Sequence, residues 1–138
     1  MIRQIPLFVS LTAAAAAALV TDTLGRSGPF ETAAVICLIQ ADADRVYREL
    51  KSLLKDGKEE QRLRLNLLNR DSSSFHRGLT VTTFYLAKGL EFDEVFILFP
   101  DRQAGNEAAA SLLIQAKYIA ATRAMHLLHS WSFACDNA

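Results

Sequence analysis

Arg123 is a side chain whose type and position would allow it to contact a phosphate group. It follows the small residues Ala120, Ala121 and Thr122, near the end of a segment with helical periodicity. Small residues allow close packing, and the guanidinium offers a planar fork that can contact a phosphate through two hydrogen bonds at once. The alternative is a solvated charge, because an arginine near the end of an amphipathic helix commonly faces water.

A second group of residues suited to ligand binding, Lys88, Gly89 and Glu91, follows a run of β-branched residues. We expect Lys88 and Gly89 just past the carboxyl end of a parallel strand, the edge where open α/β sheets bind ligands. Gly89 allows close backbone approach or a positive φ angle. The Glu91 carboxylate could accept hydrogen bonds from a sugar hydroxyl, or it could be a solvated group at a helix start, where the helix dipole favours negative charge. Lys88 could bind a phosphate or only cap a turn.

Such residues need a scaffold to position them, and the hydrophobic pattern predicts alternating strands and helices. Apolar or β-branched runs predict strands at residues 6–11, 32–39, 64–68, 79–84, 92–99 and 127–133. Helical periodicity predicts helices at residues 13–24, 41–54 and 112–125, with Gly25 as the stop signal of the first. The alternation predicts an α/β fold, a mostly parallel sheet with helices on both faces. Trp131 and Phe133 alternate on the last strand and are expected in the core.

The composition limits the classes of protein to consider. The length of 138 residues fits one α/β domain, and 51% hydrophobic residues are enough for a core. The 15 basic and 15 acidic residues balance, so any nucleic-acid surface must be local. Cys37, in an apolar run and expected to be buried, and Cys135 form no metal-binding or CxxC pattern, which suits a reducing cytoplasm. The histidines His76, His126 and His129 show no ligand spacing with acidic or cysteine partners, and the last two are expected to be surface or packing residues.

The N-terminal segment allows two interpretations. Residues 1–20 carry Arg3 and then an alanine-rich apolar run, which resembles the secretory signal peptide of an exported protein. The preferred interpretation is a strand followed by a helix, because alanine is the strongest helix former and the run is too short to span a bilayer. We therefore expect a cytoplasmic protein.

Two segments resemble the signatures of a known family. Residues 82–95, TTFYLAKGLEFDEV, resemble motif V of UvrD/Rep-type superfamily 1 helicases, and residues 118–125, YIAATRAM, resemble motif VI, which that family carries on a helix. Their order and separation also match the family. The form YLAKGLEFD is similar to the HelD-type branch, ATPases that associate with bacterial RNA polymerase. The resemblance covers residues 33–133 and implies a three-layer RecA-like fold. It further implies that residues 1–138 are a single domain, the second, C-terminal motor lobe of a longer ATP-dependent DNA helicase or translocase.

The resemblance also implies roles for individual residues. Arg123 would be an arginine finger that reaches the γ-phosphate of ATP, while Glu91 and Gly89 would lie against the nucleotide. Thr83, Tyr85 and Lys88 would face the nucleic acid, although family members often carry histidine where Tyr85 stands. ATP and Mg²⁺ are implied as cofactors held mainly by an N-terminal RecA-like lobe of the same protein. The implied partners are that lobe, single-stranded nucleic acid, expected to be DNA, and, through the HelD-type branch, RNA polymerase.

The sequence departs from the family pattern in two places. It contains no G-x-x-x-x-G-K-[ST] loop, which the first lobe would supply, so the chain alone is not expected to hydrolyse ATP. Residues 34–39 resemble motif IV, but Cys37 and Leu38 stand where an aromatic residue for adenine stacking and an arginine for phosphate binding are common. The resemblance therefore implies that one of the family's phosphate contacts is missing, so that another residue replaces it or nucleotide use in this branch differs. The second hypothesis is a non-catalytic RecA-like module that binds RNA polymerase or a repair protein.

Overall fold

The computed structural model describes residues 3–26, 31–55, 64–69, 78–100 and 107–133. The elements in chain order are β1 (Arg3–Leu11), α1 (Ala13–Arg26), β2 (Thr32–Cys37), α2 (Gln40–Lys55), β3 (Leu65–Leu67), β4 (Gly78–Thr83), β5 (Phe92–Pro100), α3 (Glu107–Ala121) and β6 (Ala124–Phe133). Cys135 and His76 lie outside the described residues. Each strand and helix predicted from the sequence has a counterpart among these elements, including the strand and helix predicted at the N-terminal end.

The strands form one six-stranded sheet in the order β1-β6-β5-β2-β4-β3, and every neighbouring pair is parallel. A parallel sheet is buried on both faces, which explains why the central strands are almost continuously apolar. The prediction of a parallel α/β sheet is thus confirmed. Among the described helices, none combines the length and the apolar character that a membrane crossing requires.

Two hydrophobic clusters lie on opposite faces of the sheet. Val35 and Cys37 of β2 face the cluster that α1 and α2 cover, whereas Ala34 and Ile36 face the cluster that α3 covers. Successive strand residues point to opposite faces, so one short strand supplies both clusters. Trp131 and Phe133 are buried in the first cluster, as predicted. Helices therefore cover both faces of the sheet, which is the three-layer, RecA-like arrangement.

Two helix ends differ from the sequence prediction. Helix α3 ends at Ala121 rather than at residue 125, because β6 begins at Ala124 and pairs with β5 from Phe92 onward. The helical periodicity of residues 122–125 is thus overridden by sheet pairing. Helix α1 continues past Gly25 to Arg26, so this glycine is not the stop that the sequence indicated.

The parallel arrangement gives the sheet two distinct edges. We call the edge where strands begin, at Thr32, Phe92 and Ala124, the amino edge. The edge where strands end, at Cys37 and Thr83, is the carboxyl edge. A six-residue strand at about 3.3 Å per residue separates the two edges by roughly 20 Å.

Gly78 begins β4 in a conformation that other residues rarely adopt. Its φ angle is 114°, and a Cβ atom at this position would overlap the carbonyl oxygen of Arg64. We expect Gly78→Ala to lower the free energy of unfolding by about 3 kcal/mol, from backbone strain and overlap together. Gly25→Ala is the matched control, since nothing lies within 4 Å of a Cβ there and alanine favours helix, so a gain of about 0.5–1 kcal/mol is expected. Urea denaturation measures the free energy of unfolding of both variants. Equal values for the two variants would contradict a special backbone requirement at Gly78.

Candidate functional site

Arg123 lies at the amino edge, in the turn between α3 and β6. Its carbonyl oxygen accepts a hydrogen bond from the backbone N–H of Phe92 at 2.8 Å, and its own N–H donates to the carbonyl of Ala120 at 3.1 Å. The first bond joins the start of β5 to the residue before β6. Arg123 is therefore held beside β5 at the backbone, rather than on the helix where the sequence placed it.

Among the residues that the structure describes, the guanidinium of Arg123 has only part of its hydrogen-bonding capacity satisfied. Nη2 donates to Oγ1 of Thr122 at 3.0 Å, whereas Nε is buried and has no hydrogen-bond partner among the described residues. Within the described part of the chain, Arg123 forms no ion pair with a carboxylate. A buried donor without an acceptor is unfavourable by about 1–3 kcal/mol, and more when the group is charged. Such groups are rare in folded proteins and are often completed by a ligand or a partner.

Glu91 lies next to the same backbone bond, because it directly precedes Phe92. Its side chain is exposed and therefore open to a ligand. The sequence analysis expected Lys88 and Gly89 just past the carboxyl end of a strand and assigned no edge to Glu91; the structure places Glu91 at the amino edge. Since β5 runs parallel to β4 and starts immediately after Glu91, the chain must have returned to the amino edge by that residue.

Residues 84–91, the crossover segment, connect the two edges of the sheet. The segment leaves β4 beside Cys37, whose carbonyl accepts a hydrogen bond from Phe84, and continues in tight turns, with Ala87 N–H bonded to Thr83 and Leu90 N–H to Ala87. Ala87 is fully buried in the cluster under α3, so the segment is packed against that face. One motif therefore contributes residues to both edges.

Gly89 adopts a φ angle of 84° within the crossover segment. Nothing lies within 4 Å of a Cβ atom built there, so a side chain would not collide with a neighbouring atom. Glycine is favoured at this position by the backbone conformation alone. Of the two roles considered from the sequence, positive φ is the one observed within the domain itself.

Thr83, Tyr85 and Lys88 lie toward the carboxyl edge. Thr83 is buried, and its hydroxyl accepts a hydrogen bond from the N–H of Leu86 at 3.4 Å, so it stabilises the turn. Tyr85 is 64% exposed, and the ammonium of Lys88 lies 4.7 Å from the centre of its ring. This distance permits a cation–π contact. An exposed aromatic ring and a cation thus lie side by side on the surface. Thr83 is buried beneath the turn and stabilises it through the hydrogen bond from Leu86.

Cys37 and Leu38 also lie at the carboxyl edge. They are separated from Arg123 by roughly the 20 Å length of a strand. Cys37 is fully buried, and this burial, together with the nearby Asp42 carboxylate, raises the pKa of the thiol well above its usual range, while Arg45 lowers it less. The thiol is therefore protonated and inert. The missing phosphate contact at Leu38 stays a prediction; the structure places position 38 at the opposite edge of the sheet from Arg123.

Asp93 was not singled out from the sequence, yet it ties the strands together at the amino edge. Its Oδ2 accepts hydrogen bonds from the backbone N–H and the hydroxyl of Thr32, at 3.1 and 3.2 Å. Its Oδ1 lies 3.7 Å from Nε2 of His126. The register between β5 and β6 shifts at this position, between Phe92 and Glu94. Such bulges often occur beside functional sites, where they redirect side chains.

Glu94 and His129 form a buried pair that the sequence did not reveal. Nε2 of His129 lies 2.7 Å from Oε2 of Glu94, and both side chains are almost fully inaccessible to solvent. The ring of Phe96 stacks on His129 with centroids 4.5 Å apart. His129 is therefore a packing residue, as predicted, but with an acidic partner 35 residues away in sequence. Within the described residues, no group of three or more potential ligands is arranged to hold a metal ion.

Comparison with known proteins tests the fold. No protein-family profile matches the sequence, and no curated protein matches it. Among solved structures, the chain is similar to the C-terminal domain of a possible DNA helicase from Lactobacillus plantarum, with a TM-score of 0.60 and 24% sequence identity. The match covers 96% of this chain and 72% of that one. The chain therefore shares the three-layer α/β fold of that domain.

Proposed function

We propose that this chain is the C-terminal motor lobe of a UvrD/Rep-type, ATP-dependent DNA helicase or translocase. In this proposal Arg123 and Glu91 complete a nucleotide site that an N-terminal lobe begins. The observation that carries it is the backbone pairing of Arg123 with the start of β5, next to the exposed Glu91, together with the buried Nε of Arg123, which has no hydrogen-bond partner among the described residues. The domain similar in fold, described as part of a possible DNA helicase, gives independent support.

The chemistry of these residues fits a nucleoside triphosphate. ATP, bound with Mg²⁺ mainly by the first lobe, supplies the phosphoryl group that is transferred to water. The guanidinium of Arg123 contacts the γ-phosphate and stabilises the charge that develops there; such an arginine typically contributes a factor of about 10³–10⁵ in rate. The Glu91 carboxylate accepts a hydrogen bond from a ribose hydroxyl. Gly89 sets the direction of the chain between the two ligand sites.

The nucleic-acid contact is proposed at the carboxyl edge. The ammonium of Lys88 lies over the Tyr85 ring. In the proposed complex the ring stacks on an unpaired base and the ammonium binds a neighbouring phosphate. Base stacking on an aromatic ring requires an unstacked base, so single-stranded DNA is the proposed ligand. Because the two edges are about 20 Å apart, nucleotide and DNA can be bound at the same time. Closing of the two lobes around ATP would then drive a step along the strand.

The first test of this function is the inactivity of the chain by itself. We expect the 138-residue chain to release no phosphate from ATP above background, with Mg²⁺ and single-stranded DNA present, because it carries no phosphate-binding loop of the Walker type. Joining it to a first lobe that carries this loop should produce DNA-stimulated turnover. Substantial ATP hydrolysis by the chain alone would contradict the proposal.

A second candidate function, a non-catalytic module that binds RNA polymerase or another protein, is supported by the surface of α3. Ile114 and Tyr118 are 66% and 71% exposed, and they lie four residues apart on one side of the helix, opposite the buried Ala116 and Ala120. Exposed apolar residues of this size often mark protein contacts. The two-lobed protein is this chain joined to a first lobe that carries the Walker-type loop. ATP turnover by this protein would favour the motor, and polymerase binding without turnover would favour the module.

Tyr85 and Tyr118 provide a matched pair of exposed tyrosines for locating the DNA. In the two-lobed protein, Tyr85→Ala should weaken binding of a single-stranded oligonucleotide by roughly 5- to 100-fold, the usual effect of losing one base-stacking ring. Tyr85→Phe should keep most of the affinity, because it keeps the ring, and Tyr118→Ala should leave DNA binding unchanged. Fluorescence anisotropy measures all three. An equal loss of DNA affinity in both alanine variants would contradict a DNA site at Tyr85.

A further inference from the structure

The hydroxyl of Thr122 lies between the last turn of α3 and the guanidinium of Arg123. It donates a hydrogen bond to the carbonyl oxygen of Ile119 at 2.8 Å and accepts one from Nη2 of Arg123 at 3.0 Å. A hydroxyl has one proton and two lone pairs. Because the proton is directed at Ile119, a lone pair of the same oxygen is available to the arginine.

The geometry of Thr122 leaves its hydroxyl little freedom. Threonine is β-branched, with few χ1 wells, and in helices its oxygen commonly bonds a carbonyl three or four residues earlier. The backbone of Arg123 is fixed independently, through the hydrogen bond from Phe92 to its carbonyl oxygen. Arg123 is thus restrained at the backbone by β5 and at the side chain by the end of α3.

We propose that Thr122 is a positioning residue, whose hydroxyl holds the Arg123 guanidinium in the orientation that phosphate contact requires. The proposal rests on the function proposed for Arg123. Among the described residues, Thr122 is the only hydrogen-bond partner of that guanidinium. A free arginine side chain has many rotamers to lose on binding. A group that is already oriented avoids this loss when the reaction begins.

The test compares variants with and without the hydroxyl in the two-lobed protein. Thr122→Val keeps the shape and removes the hydroxyl, and we expect kcat for ATP to fall roughly three- to tenfold, as for the loss of one ordinary hydrogen bond exposed to water. The KM for ATP should stay within about twofold, because the arginine acts on the transition state rather than on bound substrate. Thr122→Ser keeps the hydroxyl and should retain at least about half of the original kcat.

Thr21 offers a matched control for the loss of a threonine hydroxyl. Its hydroxyl donates to the carbonyl of Ala18 at 2.9 Å in the same way, but in α1 and with no arginine bonded to it. Thr21→Val should leave kcat unchanged. A normal kcat for Thr122→Val would overturn the positioning role, and so would an equal loss for Thr122→Ser, which would point to shape rather than to the hydroxyl. Arg123→Ala in the same assay separates the two proposals: if it too turns over normally, the proposed function itself fails.

A measurement on the 138-residue chain keeps the proposal testable without catalysis. The Nε–H group of Arg123 is buried, so its NMR signal should be protected from exchange with water and show restricted motion. Thr122→Val should increase that motion and the exchange rate, while Thr122→Ser and Thr21→Val should not. Unchanged motion in Thr122→Val would show that the hydroxyl does not hold the guanidinium, and would overturn the proposal.

Discussion

Arg123→Ala is expected to reduce DNA-stimulated ATP turnover of the two-lobed protein by about 10³- to 10⁵-fold. The physical reason is the loss of a charge that stabilises the transferring phosphoryl group, at a point where water cannot substitute for it. Arg123→Lys should recover only a small part of the rate, since an ammonium keeps the charge but not the planar fork. Steady-state phosphate release, with single-stranded DNA in excess, measures each variant.

The matched control for this experiment is Arg48→Ala. Arg48 is an exposed arginine of α2, which covers the other face of the sheet from α3. Its loss should leave turnover within about twofold and stability within about 0.5 kcal/mol. The Arg123→Ala variant should also unfold at nearly the same denaturant concentration as the parent, because it removes a partly unsatisfied charge. Near-normal turnover of a folded Arg123→Ala variant would remove the basis of the proposed function.

Glu94→Ala is expected to lower the free energy of unfolding by about 3–5 kcal/mol, because it leaves a buried polar group without its hydrogen-bond partner and also creates a cavity. His129 would lose its 2.7 Å partner in the middle of the sheet, and the smaller side chain would leave a cavity beside it. For a domain of this size the loss is a large part of the total stability. Urea denaturation followed by circular dichroism measures it.

Two further variants test whether the loss in Glu94→Ala comes from breaking a buried polar pair. His126→Ala removes a histidine that lies 3.7 Å from Asp93 and is half exposed, so a change of no more than about 1 kcal/mol is expected. Replacing Glu94 and His129 together by leucine should be much less harmful than Glu94→Ala alone, because no polar group of the pair then remains buried. A loss below about 1 kcal/mol for Glu94→Ala would show that the pair contributes little.

The main features of the fold were predictable from local patterns in the sequence. The run at residues 32–39 is almost continuously apolar, which is typical of strands in a parallel sheet, and the run before Tyr85 is rich in β-branched residues, which favour strands. The boundary between the end of α3 and the start of β6 was harder to predict, because Ala124 and Met125 continue the helical periodicity of α3. Only the pairing of β6 with β5, a long-range interaction, decides that these residues are extended.

The candidate site was only partly predictable. Arg123 and Glu91 were both singled out, and the structure brings them to the same edge, but their roles remain predictions. The edge at which Glu91 lies was not predicted, since the sequence does not reveal how far the chain travels between Thr83 and Phe92. Partners that lie far apart in sequence, such as Asp93 with Thr32, gave no local signal, because register between strands determines their contact.

The pairing of β1 with β6 has a consequence for how the domain folds. Arg3 of β1 is in register with Leu127 of β6, so all the residues from 3 to 127 must be synthesised before this part of the sheet can form. Contacts so distant in sequence slow folding, because a long loop must close before they contribute. During translation, the first strand therefore emerges from the ribosome well before its neighbour does, and it remains exposed to chaperones until β6 follows.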